Sequence, residues 1–87
     1  MAMLHCQVLT PEGSAFDGEA TFVDAQALDG RVGILPRHAP LLTVLGEGPL
    51  MVKLPDNTEK KWKVDGGFLQ VLDNRVSVVA ERLSESS

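Results

Sequence analysis

This sequence encodes an all-β domain, and three observations say so. Apolar residues alternate with polar ones at a period of two, turn-forming clusters recur at short intervals, and no stretch is left for a long helix. The chain has 87 residues, 44% of them hydrophobic and 23% charged, the composition of one small globular domain.

The strand pattern begins with Leu4, Cys6 and Val8 around His5 and Gln7. It returns as Val23, Ala25 and Ala27 around Asp24 and Gln26, then as Leu50, Val52 and Leu54 around Met51 and Lys53. Lys60, Trp62 and Val64 alternate with Lys61 and Lys63, and Val76 and Val78 flank Ser77. Turn signals separate these segments: Pro11-Glu12-Gly13, Asp17-Gly18, Asp29-Gly30, Gly46-Glu47-Gly48, Pro55-Asp56-Asn57, Asp65-Gly66-Gly67 and Asp73-Asn74. Asp29-Gly30 is the strongest hairpin signal, because Asp-Gly suits the positive φ values of a two-residue turn. Asp73-Asn74 is expected to join its flanking strands in the same manner. Many short strands at this spacing predict a sandwich or barrel. The domain is expected to span residues 1–83, followed by a polar, frayed tail over 84–87.

Charge and cysteine content narrow the function classes. Eight Lys and Arg against twelve Asp and Glu leave a net charge of −4, which argues against nucleic-acid binding. The single Cys6 can form no internal disulfide and reads as a small buried hydrophobe. With no signal peptide in evidence, that predicts a reducing, cytoplasmic-side compartment. No apolar run approaches the ~20 residues of a transmembrane helix, so membrane association is expected only through a partner.

Catalytic chemistry finds little support. Two histidines and one cysteine lack metal-ligand spacing, and neither a nucleophile elbow nor a phosphate-binding loop is present. Gly66-Gly67 reads as a turn or bulge. Lys60-Lys61-Trp62-Lys63 reads as a solvated strand with Trp62 on the face opposite Lys61 and Lys63, the lysines guarding against edge pairing. No catalytic, cofactor or metal site is predicted.

The segment Gly33-Ile34-Leu35-Pro36-Arg37-His38-Ala39-Pro40-Leu41-Leu42 stands apart. Two prolines bracket a basic, titratable tripeptide between apolar flanks, and each pushes its predecessor toward extended geometry. A stiff, projecting contact loop is expected, with His38 in a contact role.

That segment, continued by Thr43, resembles a signature of the epsilon subunit of F-type ATP synthases. Asp65-Gly66-Gly67-Phe68-Leu69-Gln70-Val71 with Val76-Ser77-Val78-Val79-Ala80-Glu81 resembles a second signature, and the early Pro-Glu-Gly and Phe16-Asp17-Gly18 segment is also similar. The likeness runs from about Met3 to Leu83. It implies a flattened antiparallel β-sandwich of about ten short strands. It also implies a non-catalytic rotor subunit that binds gamma and the c-ring and helps couple proton flow to ATP synthesis, peripheral on the cytoplasmic face of the bacterial plasma membrane.

By residue match, Asp29, Gly30, Arg31, Arg37 and His38 would face the c-ring, and Ala39, Pro40, Leu41, Leu42 and Thr43 would face gamma. Arg31 departs from the family, which often carries an acid there, so a compensating acid is expected on the ring. Nothing after Leu83 matches the family's C-terminal helical arm, so neither arm inhibition nor ATP binding is expected. The alternative from another class is a free-standing sandwich that binds a small ligand or peptide.

Overall fold

Three glycine-bearing segments that read as turns do not turn at all, and that difference shapes the molecule. The computed structural model describes residues 3–85. Its seven strands are β1 (Leu4–Thr10), β2 (Gly13–Ala20), β3 (Phe22–Ala27), β4 (Gly30–Ile34), β5 (Leu41–Lys53), β6 (Glu59–Leu72) and β7 (Arg75–Glu85). Asp17-Gly18 lies within β2, Gly46-Glu47-Gly48 within β5, and Asp65-Gly66-Gly67 within β6. The strands are therefore fewer and longer than the sequence predicts. Ser84 and Glu85 are paired with Lys63 and Trp62 rather than frayed, and Ser86 and Ser87 lie outside the described residues.

All seven strands form one sheet in the order β2-β1-β7-β6-β5-β3-β4. Every pairing is antiparallel except β1 with β7, which run parallel, so the sheet is mixed where an antiparallel one was expected. A parallel pair needs a long crossover, and here everything from β2 to β6 supplies it.

The sheet creases and closes on itself as a sandwich. In β5 the inward side chain is Leu45 before the crease but Leu50 and Val52 after it. In β6 the inward set changes from Trp62 and Val64 to Leu69 and Val71, and in β7 from Val76, Val78 and Ala80 to Leu83. Side chains on a strand alternate faces, so a buried set can change parity only where the strand bends or coils. The β5–β6 and β6–β7 ladders keep one register throughout, with gaps at Gly46 opposite Gly66 and at Gly66 opposite Glu81. The three bends therefore lie on one line. Gly67 sits there with φ 127°, and a Cβ on it would run into the Val79 carbonyl and stand 2.9 Å from Ala80 Cα. Only glycine fits.

On one side of the crease, β2, β1 and the adjoining halves of β7, β6 and β5 make a first leaf. On the other, β4, β3 and the remaining halves make a second. The strands number seven, not the ten that the resemblance implies; counted leaf by leaf, the three shared strands appear twice, which makes up the difference. The two inner faces meet in a single core that includes Leu4, Cys6, Val8, Leu69, Val71 and Val78 from the first leaf and Val23, Ile34, Leu50, Val52 and Trp62 from the second. Each fully buried Leu, Ile or Val contributes roughly 1.5–3 kcal/mol. Phe16 meets Trp62 across the sandwich at 6.1 Å between ring centroids, tilted by 57°. Cys6 is a packed hydrophobe as expected: burial, with a smaller push from Asp17, raises its thiol from 9.0 to about 12.

Two turns differ instructively. Asp73 and Asn74 both adopt left-handed φ (50° and 63°), the two-residue turn expected of them. At the other hairpin, Ala27 pairs with Gly30, so Leu28 and Asp29 are the turn and Gly30 begins β4 with φ 135°. The sequence expectation was one residue late.

Candidate interaction surface

Strands with apolar residues on both faces expect cover on both. β5 opens Leu41-Leu42-Thr43-Val44-Leu45 and β6 ends Phe68-Leu69-Gln70-Val71-Leu72, both in the first leaf. Leu41, Leu45, Leu69 and Val71 face the core, so Leu42, Val44 and Phe68 face out.

Register lines these outward residues up. Val44 lies opposite Phe68, Phe68 opposite Val79, and Val79 opposite Leu9, an apolar row crossing four strands. Leu28, on the β3–β4 turn, extends the row, because its amide donates to the Val44 carbonyl at 3.0 Å. Leu28, Leu42, Val44 and Phe68 are 73, 69, 55 and 43% exposed. With Asp29 and Thr43 they line a groove of about 680 Å³. An apolar patch held open to water on so small a domain marks a contact surface. The sequence reading missed Leu28, Val44 and Phe68 as surface residues; the two-sided apolar runs were the available signal.

The outer face of the second leaf is its opposite. Arg31 pairs with Asp24, and Lys61 lies 3.5 Å from Glu59. Trp62 faces inward, opposite Lys61 and Lys63, as its alternation required. Lys63 guards no edge, however, because it pairs with Pro49 of β5 on one side and Ser84 of β7 on the other.

The Pro36–Pro40 loop is stiff but tied down. Leu35-Pro36-Arg37-His38 forms a turn closed by the His38 amide donating to the Leu35 carbonyl at 3.2 Å, with Arg37 left-handed at φ 68°. The Arg37 amide donates to Asn74 Oδ1 at 2.6 Å, and the Asn74 carbonyl accepts from the His5 amide at 2.8 Å. Asn74 thus binds the loop to the β6–β7 turn and to β1. His38 Nδ1 lies 2.7 Å from the Ala39 carbonyl, which can only accept, so Nδ1 donates and Nε2 is free for a partner.

The residues singled out from sequence do not form one patch. Asp29 and Gly30 stand at the crease, where Ala27 pairs with Leu45. Arg37 and His38 stand at the opposite end, beyond Ile34 and beside Asn74. The five residues of β4 separate them by about 13 Å at ~3.3 Å per residue. Arg31 lies within β4 rather than in a loop, and Asp24 supplies its acid inside the chain, which removes the reason to expect one on a partner. Of the apolar segment, Leu41 packs against the core while Ala39, Pro40 and Leu42 are exposed.

Among the described residues, no group of three or more His, Cys, Asp or Glu could hold a metal ion, and no helix is long and apolar enough to cross a membrane.

Comparison with known proteins accounts for the arrangement. Residues 3–86 match the family model described as ATP synthase, Delta/Epsilon chain, beta-sandwich domain. The ATP synthase epsilon chain of Brevibacillus brevis is 38% identical over 81 residues, covering 93% of this chain and 61% of the relative. That of Roseiflexus sp. is 41% identical over 78 residues, 90% of this chain and 55% of the relative. That of Acinetobacter baylyi is 41% identical over 81 residues, 93% and 58% respectively. The chain thus spans somewhat more than half the length of these relatives. Among solved structures, a chain of the Euglena gracilis mitochondrial ATP synthase (OSCP/F1/c-ring) superposes with a TM-score of 0.91 at 17% identity, covering 98% of this chain and 54% of that one. A chain of the Tetrahymena thermophila mitochondrial ATP synthase central stalk and c-ring gives 0.81 at 19% identity, covering 94% and 66%. At those identities the likeness is one of fold.

Proposed function

This chain belongs to the ATP synthase delta/epsilon-chain β-sandwich family, and on that premise we propose that it is a non-catalytic central-stalk subunit. It binds the gamma subunit and the c-ring and helps couple proton translocation to ATP synthesis. Its place is the cytoplasmic face of the bacterial plasma membrane, held there through the complex.

The observation that carries this reading is the apolar row on the first leaf. An exposed face of Leu28, Leu42, Val44 and Phe68 costs a small domain solubility unless a permanent partner covers it. Gamma is that partner. Ala39, Pro40 and Leu42 extend the apolar face toward the open end of the sandwich, and Arg37 and His38 form its polar rim there. Gly30 and Arg31, the polar tip at the crease, are left for the loops of the c-ring, with Asp29 at the border where the two partners meet. A creased sheet with one shared core resists bending, which suits a part carried on a rotating shaft.

The test is calorimetric titration of the chain with the gamma subunit. Submicromolar binding to the wild-type chain and loss of binding in Phe68→Glu are expected. A folded wild-type chain that does not bind gamma overturns the stalk reading. Full affinity in Phe68→Glu overturns the placement of the docking face.

A further inference from the structure

The crease leaves β5 with two unlike sides along Leu41–Leu45. On one side the strand pairs with β6 through Leu41↔Val71, Thr43↔Leu69 and Leu45↔Gly67. On the other, the Val44 carbonyl accepts from the Leu28 amide, so the backbone groups of Val44 point away from β6. Antiparallel strands alternate bonded and non-bonded pairs, and so the N–H and C=O of Leu42 point away from β6 as well. No described strand lies on that side, because β3 meets β5 only from Leu45 onward. The Leu42 N–H, the Leu42 C=O and the Val44 N–H make an open edge.

Open edges are normally blunted by charge. β2 carries Asp17 and Glu19, β4 carries Arg31, and the end of β7 carries Glu81, Arg82 and Glu85. From Pro40 to Leu45 no residue is charged. This edge is also the one bordered by the groove of Leu28, Leu42 and Val44. Asp29, at the groove's lip, has no ion-pair partner among the described residues.

We infer that this edge receives an extended segment of the partner protein, added as a strand beside Leu42–Val44. The incoming backbone pairs with the Leu42 and Val44 amides and the Leu42 carbonyl. Alternate apolar side chains of the segment fill the groove, and a basic residue at its end faces Asp29. Main-chain pairing of this kind supplies affinity, while the groove and Asp29 select the segment. The inference rests on the reading of this leaf as the gamma-docking face and specifies how the docking is done.

Amide hydrogen exchange on the chain, free and bound to gamma, is the direct test. In the free chain the Leu41, Thr43 and Leu45 amides exchange slowly and those of Leu42 and Val44 quickly. In the complex the Leu42 and Val44 amides slow by at least about 100-fold. A second arm compares Leu42→Pro, which removes one outward donor that β6 does not use, with Leu42→Ala, which keeps it. Loss of about tenfold more affinity in L42P than in L42A is expected. Gamma binding with both amides still exchanging at their free rates overturns strand addition and leaves the stalk reading intact. Equal affinity of folded L42P and L42A does the same, and if L42P fails to fold the exchange measurement decides. No binding of gamma to the wild-type chain defeats both readings together.

Discussion

The outer faces of the two leaves are made by the same three strands, yet they are chemical opposites. β5, β6 and β7 show Leu42, Val44, Phe68 and Val79 to solvent on the first leaf. Past the crease they show Met51, Lys53, Lys61, Lys63 and Arg82 on the second. Propensity and strand position are shared, so neither explains the difference. What differs is the second side of each half-strand: apolar on the first leaf, largely charged on the second. The crease matters because it lets one strand carry both specifications in sequence.

Breaking the crease should have the largest effect. Gly67→Ala places a Cβ against the Val79 carbonyl and Ala80 Cα at φ 127°. The strain and displaced ladder should cost about 3 kcal/mol or more, read as a shifted urea midpoint. A Gly67→Ala chain as stable as wild type would mean the crease does not depend on glycine.

Charge reversal on each face then tests whether only one is a contact surface. Val44→Lys should lower affinity for gamma by roughly 100-fold with a stability change within about 1 kcal/mol. Lys61→Glu, on the second leaf, should change affinity less than about twofold. Comparable losses from both would erase the distinction between the faces.

Arg31 probes the margin where the faces meet. Its pair with Asp24 is solvent-exposed on the arginine side, so Arg31→Ala should cost at most about 1 kcal/mol of stability. Arg31→Glu should impair coupling in the assembled synthase more than it impairs folding, measured as proton-driven ATP synthesis in vesicles against the thermal midpoint.

Near neutral pH the smallest effect comes from the core that both faces share. The Cys6 thiol is raised from 9.0 to about 12, so above pH 9 the unfolded chain loses this proton while the folded one retains it. Stability from this group is full below about pH 9 and falls as pH climbs from there toward 12. At pH 8 the folded thiol should resist a disulfide reagent that reacts promptly once urea is added.

Much of this was legible in the residues. Period-two alternation located the inward sets Leu4-Cys6-Val8, Val23-Ala25-Ala27 and Val76-Val78 and put Trp62 opposite its lysines. Turn chemistry placed Asp73-Asn74 correctly, because both residues tolerate the left-handed φ that turn needs. Gly46-Glu47-Gly48 and Gly66-Gly67 misled, because glycine serves a turn and a sheet bend equally well and local sequence does not say which. The candidate surface was half visible. Leu42 fell within the signature segment, but Phe68 and Leu28 join it only through cross-strand register and one hydrogen bond to Val44. Asp29 and His38, nine positions apart, read as parts of one ring-facing surface although the whole of β4 runs between them.

The sequence by itself determined the all-β class, the inward sets of β1, β3 and parts of β5, β6 and β7, and the family. Those follow from periodicity, composition and motif, all of them local in the chain. Only the tertiary structure decided that three strands pass through both leaves, that β1 pairs parallel with β7, that Asn74 ties down the proline loop, and that Arg31 already has its acid. Each of those depends on which segments meet across the sheet. Pairing partners are chosen by burial of the whole core at once, and no single segment carries that information.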